Sequence, residues 1–173
     1  MISKSDMLVA RGALAWLWLS AVVIGLDQLT KAIVLGALEP YVPHAVIPGF
    51  LNWTLAFNTG AAFSFLADQE GWQRWLFAGL AVVVCVVLAR WLAHTPRRDW
   101  RTALPLGLII GGALGNLIDR VRAGHVTDFI QVYYRDWAFP SFNVADSAIS
   151  VGAVLLVWFG LFAHARQAGD QPR

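Results

Sequence analysis

The chain has 173 residues, of which 58% are hydrophobic and 14% charged, and its mean hydropathy is +0.58. Soluble domains carry about 25% charged residues, so this composition excludes an ordinary cytosolic domain, and its apolar content excludes a disordered chain. The formal charge of +2 is too small to point to nucleic acid, the single cysteine, Cys85, excludes an internal disulfide, and the scattered histidines His44, His94, His125 and His164 argue against a zinc site. No cofactor and no metal are expected.

A membrane-spanning helix takes about 20 mostly apolar residues, so about four fit in this length. Four charge-free runs locate them: Gly12 to Leu26, Trp75 to Ala89, Thr102 to Ile118 and Ser147 to Ala165. The first two are short and must extend past a charge, the first across Asp27 and Lys31, the second past Arg90. The expectation is a single α-helical integral membrane domain over 1–173, with transmembrane helices at about 12–36, 72–93, 102–120 and 144–165 and outer loops at about 37–71 and 121–143.

The first run follows Lys4 and Arg11 and lacks a small-x-small cleavage site after Leu26, so it reads as an uncleaved anchor rather than a signal peptide. In the first outer loop Leu51, Trp53, Leu55 and Phe57 alternate with Asn52, Thr54, Ala56 and Asn58, a period-two strand signal closed by a Thr59-Gly60 turn. Arg97, Arg98 and Arg101 crowd the link between the second and third spans, whereas Leu38 to Gly71 contains no Lys or Arg. With Arg166 and Arg173 after the fourth span, the bias places both termini in the cytoplasm, although Arg122 and Arg135 in the second outer loop weaken it. That loop carries a fainter alternation, Val126, Asp128, Ile130, Val132, before the Phe139-Pro140 break. The two signals predict a small sheet on the outer membrane surface. Nine tryptophans suit headgroup depth.

Carboxylates near membrane depth are costly and therefore informative. Asp27, Asp119, Asp128 and Asp146 all fall at outer ends of spans or in the second outer loop, which suggests one site at the outer interface. Each also has a plain reading. Asp27 and Lys31, at i and i+4, can form a helix-surface ion pair. Asn116, Asp119 and Arg120 share a helical face, where an Asp-Arg clamp is the simpler expectation. Asn143 can cap the fourth helix while Asp146 reaches back as a capping box. Asp128 alone is a solvated loop residue. Gly107, Gly111 and Gly115 recur every four residues and predict close approach of another helix. Asp119 and Asp128, nine residues apart, point to opposite faces of one helix and meet only if it breaks between them. Asp128 and Asp146 lie on different elements that a returning loop can bring together. Two adjacent carboxylates share a proton and supply one acid and one base, enough to direct water at an amide.

Five blocks then occur in order: Asp27-Gln28-Leu29-Thr30-Lys31; Asn58-Thr59-Gly60-Ala61-Ala62-Phe63-Ser64; Gly111 to Arg120; Val126-Thr127-Asp128-Phe129; and Phe142-Asn143-Val144-Ala145-Asp146-Ser147. Together they resemble the successive motifs of bacterial lipoprotein signal peptidase, signal peptidase II, across about residues 12 to 165. The resemblance implies a membrane aspartyl protease of the bacterial inner membrane, with its active site at the outer face. It would cut prolipoproteins just before a diacylglyceryl-modified cysteine, with membrane lipids as its other partners. It also implies a β-rich cradle over the substrate, Asp128 and Asp146 as the catalytic dyad, and Asp27, Lys31, Asn58, Gly60, Asn116, Asp119, Arg120, Asn143 and Ala145 as residues lining or bracing the site.

Three other classes remain on the residues alone. A proton relay needs carboxylates at the bilayer midplane. A structural subunit is compatible with the composition. A serine protease would use Ser141 or Ser147 with His125.

Overall fold

The computed structural model describes residues 12–60 and 71–169, with 162–169 as backbone only. Lys4, Arg11, Arg173 and the motif residues Ala61 to Ser64 lie outside the described residues. The side chain of Arg166 does too.

A 3₁₀ turn, Ala13–Trp16, leads into helix α1, Leu17–Ala37. Strands β1, His44–Ile47, and β2, Leu51–Asn58, follow, then α2, Trp72–His94, and α3, Trp100–Ala123. Strands β3, Val126–Tyr134, and β4, Trp137–Ala138, precede α4, Val144–Gly169. Four helices are thus long and apolar enough to cross a membrane. The strands form one antiparallel sheet in the order β1-β2-β3-β4. The expected helical membrane protein with a small β cradle is borne out.

Helix α3 is central and packs against α1, α2 and α4. Its glycines make that possible. A Cβ on Gly111 would meet Val23 and Ser20 of α1, one on Gly115 would lie 2.8 Å from Asp27 Oδ2, and one on Gly112 would collide with the Ala145 carbonyl of α4. Gly152 of α4 returns the contact against Pro105 O and Ile109. The other three helices turn apolar side chains outward, among them Trp18, Ile33, Trp75, Val83, Val154 and Leu161, each 56–66% exposed. A surface of that kind suits lipid, not water.

Two expectations change. Asp27 does not sit at the outer end of its span but near the middle of α1. The helix runs ten residues further because its last turns support the sheet, where Val34 packs with Leu55 and Phe129. In β2 the alternation is interrupted by a bulge: Trp53 pairs with Ile130 and Ala56 with Asp128, three residues against two. Thr54 and Leu55 are consequently both buried.

Helix α3 ends at Gly124, φ +84°, a left-handed residue after which the chain reverses into β3. That break is what lets residues 119 and 127 meet.

Candidate active site

The site is built around the N-terminus of α4. Asn143 Oδ1 accepts the Asp146 N–H at 2.9 Å, and Asp146 Oδ2 accepts the Asn143 N–H at 3.2 Å, a reciprocal capping box. The cap is also a bridge. Asn143 Nδ2 donates to Asp128 Oδ1 at 2.7 Å, so one buried residue holds both carboxylates, Asp128 through its side-chain amide and Asp146 through its backbone N–H. Asp128 Oδ2 accepts from Asn58 Nδ2 at 3.2 Å, and Asn58 Oδ1 accepts the Gly60 N–H at 3.1 Å. Asp146 Oδ1 accepts from Asn116 Nδ2 at 2.7 Å.

Behind this pair lies a buried ionic layer. Lys31 Nζ contacts Asp27 Oδ2 and Asp119 Oδ2, both at 2.8 Å, and donates to Asn116 Oδ1 at 3.0 Å. Asp27 Oδ1 accepts the Ala145 N–H at 3.0 Å, placing a carboxylate on the first turn of α4, where the helix dipole favours it. Asp119 Oδ2 accepts the Thr127 N–H at 3.1 Å, and its Oδ1 accepts from Gln28 Nε2 at 2.9 Å. The Asp27–Lys31 pair is therefore not a surface pair: the two side chains are 0% and 3% exposed, because the second carboxylate and two amides of the layer replace water. Nor does Asp119 form a clamp with Arg120. Its oxygens are taken, and Arg120 instead donates to Asn116 O at 3.4 Å and lies over the Phe77 ring at 5.4 Å.

Asp128 and Asp146 both line a cavity of about 1040 Å³ with Asn58, Gly60 and Arg120. Its remaining wall is largely apolar, with Tyr41, Phe57, Phe139, Pro140, Phe142 and Val151. Burial pushes the Asp128 carboxyl up to about 7; the neighbouring Asp146 charge adds to the rise, and the amides of Asn58 and Asn143 and the Lys31 charge oppose it. A carboxyl that titrates near neutrality beside a second carboxylate, open to a cavity, can hold a proton or take one.

The family model described as Signal peptidase (SPase) II matches residues 19–162. The chain belongs to the signal peptidase II family. Among its relatives, the lipoprotein signal peptidase of Xanthomonas campestris pv. campestris (strain 8004) is 58% identical over 159 residues, 91% of this chain and 95% of that one. That of Xylella fastidiosa (strain M12) is 57% identical over 150 residues, 87% and 90% of the two chains. A bacterial membrane enzyme solved at 2.3 Å shares the fold with TM-score 0.76 and 28% identity, covering 92% of this chain and 93% of that chain. As a signal peptidase II, the protein is a protease of the aspartic type in a bacterial inner membrane.

Among the described residues, the fold brings Asp27, Lys31, Asn58, Gly60, Asn116, Asp119, Arg120, Asp128, Asn143, Ala145 and Asp146 together in one cluster beside this cavity. It does not assemble the Ser–His alternative. Ser141 and Ser147 line the cavity and His125 does not; Ser147 Oγ donates to Asn143 O at 2.9 Å, and the His125 ring packs at a tilt against Phe57 with centroids 4.6 Å apart. Asp27 does not offer a proton relay either, because its oxygens are engaged by Lys31, Gln28 and Ala145. Gln28, which bonds Asp119, is a further member of this layer that its motif alone does not single out, although an amide beside an acid in an apolar helix is itself a costly, readable signal. Tyr41 and Gln131 at the cavity wall left no comparable mark.

Proposed function

We propose that Asp128 and Asp146 are the catalytic pair with which this signal peptidase II cleaves prolipoproteins, immediately before a diacylglyceryl-modified cysteine. The observation that carries the reading is the single amide of Asn143, which holds one oxygen of Asp128 while capping with Asp146, beside one shared cavity.

The ionised member of the pair takes a proton from water, and the water adds to the carbonyl preceding the cysteine. The protonated member donates to the carbonyl oxygen. The resulting diol collapses as a proton passes to the leaving amine, and the pair again shares one proton. No covalent enzyme intermediate forms. The other motif residues act on the pair: Asn58, Asn116 and Asn143 fix its oxygens, while Lys31, Asp27 and Asp119 fix the helices that carry it. Gly60 and Ala145 supply backbone N–H groups to that framework, and Arg120 offers a cation at the cavity wall.

The pair faces the outer side of the membrane, with both termini cytoplasmic, as the basic link 97–101 favours. There a scissile bond beside an acylated cysteine lies at headgroup level. Asp128→Asn or Asp146→Asn is expected to abolish cleavage of a lipidated prolipoprotein in reconstituted membranes. Equal cleavage rates for lipidated and unlipidated substrate would contradict the assigned substrate.

A further inference from the structure

The turn between α1 and β1 contains a residue its geometry does not favour. In Glu39–Val42 the Val42 N–H donates to Glu39 O at 3.4 Å, Pro40 stands second, and Tyr41 stands third with φ +64°. Proline followed by positive φ is the pattern of a type II turn, whose third position belongs to glycine or asparagine because a Cβ is crowded there. The conformation is held from outside. The Tyr41 N–H donates to Leu55 O at 2.7 Å, and Pro40 bridges to Leu55, clamping the turn onto β2. Residues held in such conformations by their surroundings cluster at ligand-binding positions.

The place of the side chain suggests its use. Tyr41 is 64% exposed, lines the cavity that contains both carboxylates, and meets the Phe57 ring edge-on at 6.2 Å. Phe57 precedes Asn58, whose amide holds Asp128. The ring therefore stands on the cradle side of the cavity, among apolar neighbours that include Ala138 and Phe139. A scissile peptide bond belongs with the carboxylates and amides; an apolar substituent belongs against these rings.

We propose that Tyr41 is a substrate-binding residue, held by the strained turn so that its ring, with Phe57, forms the wall on which the diacylglyceryl group packs. The inference rests on the substrate reading given above. It explains why a tyrosine occupies a position suited to glycine: the ring is worth more to the bound state than the strain costs the free one.

The test measures KM, kcat and melting temperature for wild type, Tyr41→Phe, Tyr41→Gly and Tyr41→Asn, with prolipoprotein peptides bearing long or short acyl chains. Tyr41→Phe should match wild type. Tyr41→Gly and Tyr41→Asn, which suit positive φ, should melt no lower than wild type. Both should raise KM for the long-chain substrate about tenfold, the effect of losing one aromatic packing contact, with kcat nearly unchanged and with little further loss for the short-chain substrate. An unchanged KM in both ringless variants would overturn the inference, and an equal rise for both substrates would assign the ring to the peptide instead of the lipid. A wild type indifferent to lipid would refute the substrate reading itself, a result distinct from either.

Discussion

Asn143 shows how much one residue can do when its position is doubly determined. Local chemistry makes it an N-cap, and tertiary folding then places its free amide against Asp128. The first half is legible in the sequence because a capping box is a three-residue spacing. The second is not, since it depends on β3 returning past the N-terminus of α4. The same division applies to Lys31. Its spacing from Asp27 is visible, but the second carboxylate, Asp119, comes from another helix, and only their meeting makes the pair buried. Lys31→Met is therefore expected to destabilise the protein by about 3–5 kcal/mol, because two buried carboxylates lose their cation. Thermal or denaturant unfolding in detergent checks this. At Asp128 the direction of titration fixes a pH dependence. With its carboxyl raised to about 7, the proposed catalytic pair would lose its shared proton above that pH, so kcat should fall there. The amide of Asn58 lowers that pKa, so Asn58→Ala should move the alkaline limb to higher pH. A limb that stays in place or moves down would remove Asn58 from the pair's hydrogen-bond set.

At the scale of elements, α3 is the scaffold on which the site is hung. It supplies Asn116, Asp119 and Arg120, and its small residues set how closely α1 and α4 approach. The stripe Gly107, Gly111, Gly115 predicts one close neighbour, and α1 is that neighbour. Gly112, one position off the stripe, serves α4. Gly112→Ala would place a methyl group into the Ala145 carbonyl, next to the N–H that Asp27 accepts and beside Asp146. Overpacking of this kind costs about 1–3 kcal/mol, and it should lower kcat more than it raises KM, because it displaces Asp146 rather than the cavity wall. Equal activity and stability would mean that α4 can move without cost. Strand β2 was legible from its alternation, whereas β1 was not. Its four residues are all exposed, so no apolar period marks them, and their pairing with β2 alone defines the strand. The bulge in β2 was also hidden, because one inserted residue does not disturb the pattern until the partner strand is known.

For the molecule as a whole, the apolar composition translates into three helices with broad exposed apolar faces around one that is mostly buried. The sequence carries this division directly: α3 holds the glycine stripe and the polar motif residues, and α2 is almost uniformly apolar. Topology follows from charge rather than packing. A periplasm-active reporter fused after Arg98 should be silent, and a signal there would reverse the orientation. The proposed chemistry draws both its acid and its base from carboxyls, so chelators should leave activity unchanged. Loss on chelation with recovery on adding zinc would assign the chemistry elsewhere.

The central claim is that one pair of carboxyls performs the hydrolysis without a covalent intermediate. Its most direct test is single-turnover cleavage of a lipidated prolipoprotein by wild type, Asp128→Asn and Asp146→Asn, with substrate affinity measured in parallel and a nucleophile present to trap any acyl-enzyme. Each variant should bind substrate nearly as wild type does and lose several orders of magnitude in rate, because the missing interaction belongs to the transition state, and no adduct should form. Near-normal cleavage by either variant, or a trapped acyl-enzyme, would contradict the account.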